Sequence, residues 1–426
     1  MNKKIYKPRI IDKVISRYLK IAGAICIEGP KWCGKTWTSR HASKSEFLVG
    51  NPYNNFANRQ LANLNPSSVL MGENPRMIDE WQEAPAIWDA VRAKVDEIGE
   101  NGLFILTGSS TPKYKGILHS GAGRISRLRM NTMSLYESGD SSGIVSLQKL
   151  CAENYNFQPQ YVEELSFDKL AHLIIRGGWP GGIDAPLKDS RIVAKQYINA
   201  ILSQELVDEF GNKFDYGKIK LILKSLARNV STTVSERAII SDISQNEPEN
   251  ISRPTLSKYL EFLNKMFLFD NLEPFAPNYR SSLRVKQLEK RYFSDPSLAC
   301  ALLNLTAEKL TKDVNLYGIL FESLVVRDLK IYARANDAEV YHYQDYKGNE
   351  IDAIIELSGG DWCAIEIKLG SNVVDEAAKK LNKTINNMVA NGASEPILKC
   401  IIVGFGNLAY KRDDGVFIVP INALKD

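Results

Sequence analysis

The sequence predicts an α/β protein of more than one domain, and three observations carry that expectation. A short β-prone run passes through a glycine-rich loop into a helical segment between Ala24 and Thr36. Strand-like and helix-like periods alternate between Met77 and Leu106, and alternating strands return after Glu350. At 426 residues the chain is also long for one hydrophobic core, so two or three domains are expected.

In chain order, Ile10 to Ala22 carries apolar residues at helical spacing, and Ala24 to Glu28 is the β-prone run that ends on Gly29-Pro30. Apolar runs at Met77-Ile78 and Leu103 to Leu106 flank Ala86 to Ile98, whose apolar positions recur with helical period. Strand, helix and strand on this spacing predict a parallel sheet with helices on its faces. The pattern fades near Leu128 to Tyr136. From about Phe157 to Phe269 the chain reads as helical, with amphipathic stretches at Arg191 to Phe210 and Tyr216 to Ala227. The turn Gly177-Gly178-Trp179-Pro180-Gly181-Gly182 interrupts it. From about Pro274 a mixed pattern returns: helices near Tyr317 to Ala333 and Val374 to Val389, and strands near Glu350 to Leu357, Trp362 to Lys368, Ile397 to Val403 and Val416 to Val419. No internal repeat or low-complexity linker interrupts this order.

With 44% hydrophobic and 24% charged residues, the composition is that of a soluble globular protein. Apolar stretches such as Ile21 to Ile27 fall short of the roughly 20 residues that span a bilayer, so no membrane association is expected. No apolar run or small-residue cleavage site follows Lys3 and Lys4, which points to the cytoplasm. Cys26, Cys33, Cys151, Cys300, Cys363 and Cys400 are scattered without zinc-ligand spacing and read as buried reduced thiols. A net charge of +4 leaves any nucleic-acid contact to local patches.

The stretch Gly29, Pro30, Lys31, Trp32, Cys33, Gly34, Lys35, Thr36 fits G-x-x-x-x-G-K-[ST] at every position, between an expected strand and an expected helix. Backbone N–H groups of such a loop turn towards phosphates and the following helix adds its positive end, so Gly29 through Trp37 are expected to bind the nucleotide. Lys35 is expected on the β- and γ-phosphates of ATP and Thr36 on Mg²⁺. Asp79 and Glu80 end an apolar strand, where open α/β sheets bind ligands. Asp79 is expected to support Mg²⁺ and Glu80 to polarise the attacking water. In Leu106-Thr107-Gly108-Ser109-Ser110, either Thr107 or Ser109 could sense the γ-phosphate, and a plain turn is the competing reading.

The P-loop, Ile78-Asp79-Glu80-Trp81-Gln82-Glu83-Ala84-Pro85, Leu106 to Ser110, Gly123-Arg124-Ile125 and Gly177-Gly178-Trp179-Pro180 together resemble the bacterial and archaeal AAA-type ATPases that carry a C-terminal domain of unknown function. Trp81 departs from the small apolar residue or isoleucine common in that family. The resemblance implies an ATPase domain over 1–150, a helical lid and winged-helix region over 151–275, and a homo-oligomer formed through the ATPase domain. It also implies that Arg124 approaches a phosphate, within the subunit or across an interface; a plain surface arginine is the alternative. A winged helix would use Val234 to Ser244 and a Ser252-capped helix to Asn264, with Phe267 to Phe275 as the wing. Arg253, Thr255 and Lys258 would then face DNA, or the helices would pack structurally.

Near the C-terminus, period-two alternation puts Glu350 and Asp352 on one strand face and Glu366 and Lys368 on another, joined by the Gly359-Gly360-Asp361 turn. Glu322, on the helix beginning near Leu316, could add a further carboxylate. Carboxylates around a lysine can hold Mg²⁺ or Mn²⁺ and activate water against a phosphodiester. The order resembles the PD-(D/E)xK nuclease core, with Glu322, Asp352, Glu366 and Lys368 in its positions, Ile351 in place of the proline, and a nuclease-like domain over 276–426. Asp352 and Glu366 would bind a second metal ion. A salt-bridged sheet face that has kept the fold and lost cleavage is the alternative. The whole then reads as an ATPase coupled to a domain that acts on or recognises DNA, or as a nucleotide-dependent switch or scaffold with an inert nuclease-like domain.

Overall fold

The computed structural model describes residues 5–109, 117–152, 155–186, 189–203, 213–246, 250–276 and 288–426. Ser110 and positions 204–210 of the expected helix Arg191 to Phe210 therefore lie outside the described residues. The described residues form two compact units. Unit 1 lies within Met1–Thr132 and includes Glu261–Leu268; unit 2 lies within Met133–Gln204, Asp215–Leu260 and Phe269–Asp426.

Unit 1 opens with α1 (Ile11–Tyr18) and β1 (Ala24–Glu28), continues through the glycine loop into α2 (Lys35–Ala42), and adds β2 (Ser45–Leu48) and α3 (Tyr53–Leu64). β3 (Arg76–Asp79), α4 (Ala86–Ile98), β4 (Phe104–Gly108) and β5 (Ile125–Arg129) complete it. The five strands run in the order β2-β3-β4-β1-β5, and every pairing is parallel. The expected parallel sheet is present, and β2 and β5 extend it beyond the expected strands. In β5 the run Ile125-Ser126-Arg127-Leu128-Arg129 hides its strand character behind two arginines. Arg127 lays its guanidinium over the Trp88 ring, 4.7 Å from the centroid, and reaches Glu28 Oε1 at 2.5 Å. Trp81 is fully buried and packs against Trp88 with ring centroids 4.7 Å apart, which accommodates its bulk in the core.

Unit 2 holds the helices α5 (Leu135–Ser138), α6 (Leu147–Leu150), α7 (Phe167–Arg176), α8 (Ile192–Ser203), α9 (Tyr216–Arg228) and α10 (Glu236–Asn246). α11 (Arg253–Lys265) begins in unit 2, where Ser252 Oγ accepts the Thr255 N–H at 3.4 Å, as the expected cap requires. Then come α12 (Pro296–Leu302), α13 (Ala307–Lys312) and α14 (Val314–Ala335). The C-terminal strands, here numbered from β6, are β6 (Glu339–Gln344), β7 (Glu350–Glu356) and β8 (Trp362–Lys368), followed by α15 (Val374–Ala390) and β9 (Leu398–Val403). β7 pairs antiparallel with both β6 and β8, and β8 pairs parallel with β9 through the α15 crossover. The extended run expected as a wing forms antiparallel bridges with Phe293 and Lys290, and its Glu273-Pro274 end pairs with β6. These strands belong to an eight-stranded mixed sheet.

The Gly177-Gly178-Trp179-Pro180 turn is a packing hub of unit 2. Gly178 donates its N–H to Asp295 Oδ2 at 2.9 Å, and a Cβ there would stand 2.0 Å from the Met133 carbonyl oxygen. Trp179, fully buried, donates its indole N–H to Ser297 Oγ at 2.9 Å. Asp295 also caps α12 and meets Arg327 at 3.2 Å, while Arg327 meets Asp328 at 2.7 Å and Asp328 accepts the Leu135 N–H at 3.0 Å. All six cysteines are free, and Cys151 and Cys363 bring their sulfurs to 3.3 Å.

Removing one member of such a buried ion pair strands the other, at a cost of about 3–5 kcal/mol. Asp295→Ala is therefore expected to lower the urea midpoint for unit 2, read by amide exchange in α12 and α14. An unchanged midpoint would refute the assignment of this network as the unit's anchor.

Candidate functional site

The first candidate site lies where β1, β3 and β4 of unit 1 end. The Gly29 backbone runs so close to Met130 that a Cβ would stand 2.1 Å from its carbonyl oxygen, so the first P-loop position admits only glycine. Cys33 is fully buried, whereas Trp32 and Trp37 are exposed beside it. Lys35 is 5% exposed and donates from Nζ to the Gly29 and Pro30 carbonyl oxygens at 2.9 and 2.8 Å. Its aliphatic stem is thus buried and its ammonium lies against the loop itself.

Asp79, at the end of β3, is bound by two hydroxyls: Thr36 Oγ1 donates to Oδ1 at 2.9 Å and Thr107 Oγ1 at 2.6 Å. Burial pushes the Asp79 carboxyl above its ordinary range; these two hydrogen bonds and the Lys35 charge work against that shift, and the Glu80 charge adds to it. Glu80 is left-handed (φ 55°), with its N–H bonded to Thr107 Oγ1 at 3.1 Å. Its Oε2 accepts from Ser109 Oγ at 3.0 Å and from the Gln82 amide. Thr107 therefore holds the Asp79 carboxylate and the Glu80 backbone, and Ser109 engages the Glu80 carboxylate. Gln82 was not singled out in the sequence; only its place two residues beyond Glu80 marks it.

Arg9 was not singled out either. It is 7% exposed and donates to the carbonyl oxygens of Cys33 (3.0 Å), Asn131 (2.9 Å) and Thr132 (3.2 Å), tying the P-loop to the chain beyond β5. Arg124 is not brought to this site. Its residue precedes β5, where its carbonyl accepts the Ala24 N–H at the opposite end of β1 from Gly29, and its side chain pairs with Asp96 at 2.7 Å. The arginine at the P-loop end of β5 is Arg129, in register with Glu28.

The second cluster lies in unit 2 and brings together Glu322, Asp352, Glu366 and Lys368, from α14, β7 and β8. Pairing of Ala353 with Ile365 sets Asp352 beside Glu366, and a β-bulge falls between Ile351 and Ile354. Lys368 Nζ stands 2.7 Å from Glu366 Oε1 and 3.5 Å from Asp352 Oδ2. A lysine absent from the sequence expectation, Lys290, stands 2.7 Å from Glu322 Oε1 and 3.6 Å from Asp352 Oδ1. Tyr292 Oη donates to Glu322, and the Ile367 N–H to Asp352 Oδ2 at 2.9 Å. Burial raises Glu322 to about 7 against the Lys290 charge, and raises Glu366 to about 7 with the help of the Asp352 charge. Burial also opposes the Asp352 charge, but Lys290 and Lys368 outweigh it and hold that carboxyl below its ordinary range. Although Glu366 is in ion-pair range of Lys368, neither of its oxygens has a hydrogen bond of good geometry. Among the described residues no group of three His, Cys, Asp or Glu side chains is placed to hold a metal ion, and no helix is long and apolar enough to cross a membrane.

Arg9→Ala is expected to weaken ATP binding at least tenfold by freeing the Cys33 carbonyl, with Arg9→Lys unable to restore a three-acceptor fork. Fluorescent nucleotide titration reads this, and wild-type affinity in Arg9→Ala would remove Arg9 from the P-loop.

Residues 22–138 match the family model described as an AAA domain. Residues 167–309 and 317–424 match two models described as domains of unknown function. No curated protein matches the chain. Among solved structures, a Walker-type ATPase of Pyrococcus abyssi is 14% identical, with 70% of this chain and 96% of that one covered and a TM-score of 0.43. A signal-transduction ATPase with numerous domains and a tetratricopeptide repeat sensor, from Pyrococcus horikoshii, is 11% identical, with 79% and 48% covered and a TM-score of 0.21. The P-loop at the end of β1 and the Asp79-Glu80 strand end both lie inside the stretch 22–138 that is similar to an AAA domain.

Proposed function

We propose that the chain is a Mg²⁺-dependent ATPase whose hydrolysis at unit 1 governs how unit 2 engages DNA. The observation that carries the ATPase reading is the meeting of the Thr36 hydroxyl and the Asp79 carboxylate at 2.9 Å, beside a complete P-loop. A hydroxyl and a carboxylate at this separation fit the Mg²⁺ of a bound nucleotide, Thr36 as direct ligand and Asp79 through water. The ion, when bound, would neutralise charge developing on the phosphate oxygens. Lys35 exchanges its loop carbonyls for the β- and γ-phosphates. Glu80 orients the attacking water and takes its proton as oxygen bonds to the γ-phosphorus and the bond to the β,γ-bridging oxygen breaks. Ser109 and Gln82 hold one Glu80 oxygen and leave the other for that proton.

Lys35→Ala is expected to abolish tight ATP binding. Glu80→Gln should retain binding and lose turnover by roughly two orders of magnitude or more. Turnover equal to wild type in Glu80→Gln would remove Glu80 from the catalytic role.

The position of Arg124 at the opposite end of β1 from the P-loop supports action in a neighbouring subunit of a homo-oligomer rather than within its own. Mixing Arg124→Ala with Lys35→Ala subunits should then restore part of the activity, because some interfaces pair an intact P-loop with an intact arginine. Co-assembly without recovery would exclude a role across the interface.

For unit 2, the succession α14, β6, β7, β8, α15, β9 with its parallel crossover supports a nuclease-like core over 276–426. Exposed Arg253 and Lys258 on α11 support DNA contact through a helix-turn-helix pair, although Arg253 also meets Glu236 at 3.1 Å. Because Glu322, Asp352 and Glu366 are already paired with lysines, the reading favoured here is a domain that recognises DNA and does not cut it.

A further inference from the structure

A nuclease-like core implies a divalent cation among Glu322, Asp352 and Glu366, and the side chains present do not fit one. Lys290 and Tyr292 are two residues apart on an extended segment and both reach Glu322. The Lys290 backbone is fixed by a reciprocal pair of hydrogen bonds: its N–H donates to the Leu272 carbonyl at 2.9 Å and its carbonyl accepts the Leu272 N–H at 3.0 Å. Its side chain, 10% exposed, ends between Glu322 Oε1 and Asp352 Oδ1. Lys368 closes the remaining gap, between Asp352 and Glu366. Each neighbouring pair of carboxylates is thus bridged by an ammonium, and Asp352 Oδ2 is further occupied by the Ile367 N–H.

We infer that Lys290 takes the place of the divalent cation, making this cluster a lysine-locked site that binds no metal in the wild-type chain. An ammonium satisfies two carboxylates with one charge and directional N–H donors. A divalent ion entering beside it would meet like-charge repulsion and would have to strip both carboxylates of their partner. Removing Lys290 would free Glu322 Oε1 and Asp352 Oδ1, the two oxygens it holds, to coordinate an ion, while Lys368 stays on Glu366. The inference rests on the nuclease-like reading for the expectation of a metal, and on the position of Lys290 for its exclusion.

The test is a Mn²⁺ titration followed by electron paramagnetic resonance on the full chain without nucleotide. Wild type and Asp352→Asn should give superimposable curves, since any weak binding at the P-loop is common to both. Lys290→Met should gain one Mn²⁺ per chain, and Lys290→Met with Asp352→Asn should lose it. A Mn²⁺ site in the wild type that Asp352→Asn removes would overturn the inference, whether or not the Lys290 variant folds. So would a folded Lys290→Met with no new site. A Lys290→Met chain that binds Mn²⁺ and cuts neither single- nor double-stranded DNA supports the lock while counting against the nuclease-like reading.

Discussion

The buried guanidinium of Arg327, held between Asp295 and Asp328, is the contact on which unit 2 depends. Both carboxylates are fully buried and spend their remaining lone pairs on backbone donors: Asp295 on Gly178 and Ser297, Asp328 on Leu135. Three separate stretches of chain are thus tied to α14 at one point. Such a network adds little net stability over an apolar core of the same volume, but it tolerates only one arrangement of its donors. Its value is that it fixes where the chain at Met133 to Leu135 and the glycine turn at 177–178 lie relative to α12 and α14.

That constraint reaches the carboxylate cluster through one helix. α14 carries Arg327 and Asp328 in its C-terminal half and Glu322 one turn and more before them. A helix pinned by a buried ion pair cannot slide, so Glu322 is delivered at a fixed height against Lys290. Lys330, further along α14, donates to the Asp270 and Asn271 carbonyl oxygens at 2.7 Å each, which draws the 269–275 segment onto the same helix. Since that segment holds the Lys290 backbone, Glu322 and Lys290 are both positioned from α14.

The two carboxylate sites differ in what satisfies them. In unit 1, Asp79 is held by neutral hydroxyls, and Glu80 by a hydroxyl and an amide, donors that add no positive charge of their own, although the Lys35 charge also acts on Asp79. In unit 2, ammonium groups compensate the charge directly. Hydroxyl support suits a site that must exchange its ligands during turnover, and ammonium support suits one that must stay as it is.

The candidate nucleotide site proposed for unit 1 was legible in the sequence because its parts are local: the glycine loop, Lys35, Thr36 and the Asp79-Glu80 strand end each stand out within a few residues, and backbone propensity places the loop between strand and helix. The strand and helix pattern of the C-terminal part was legible for the same reason, as was the grouping of Asp352 with Glu366 and Lys368 across one hairpin. Strand β5 was hidden because its arginines are covered by Trp88 and Glu28, partners distant in the chain. Arg9, 24 positions from Cys33, and Lys290, 32 positions before Glu322 and 62 before Asp352, bear no motif. A lone arginine or lysine is indistinguishable from a solvated surface charge until folding buries it. Chain identity alone thus determined which groups could hold phosphate, while only the tertiary structure decided which cation the second set of carboxylates meets, because that depends on what burial brings within 4 Å.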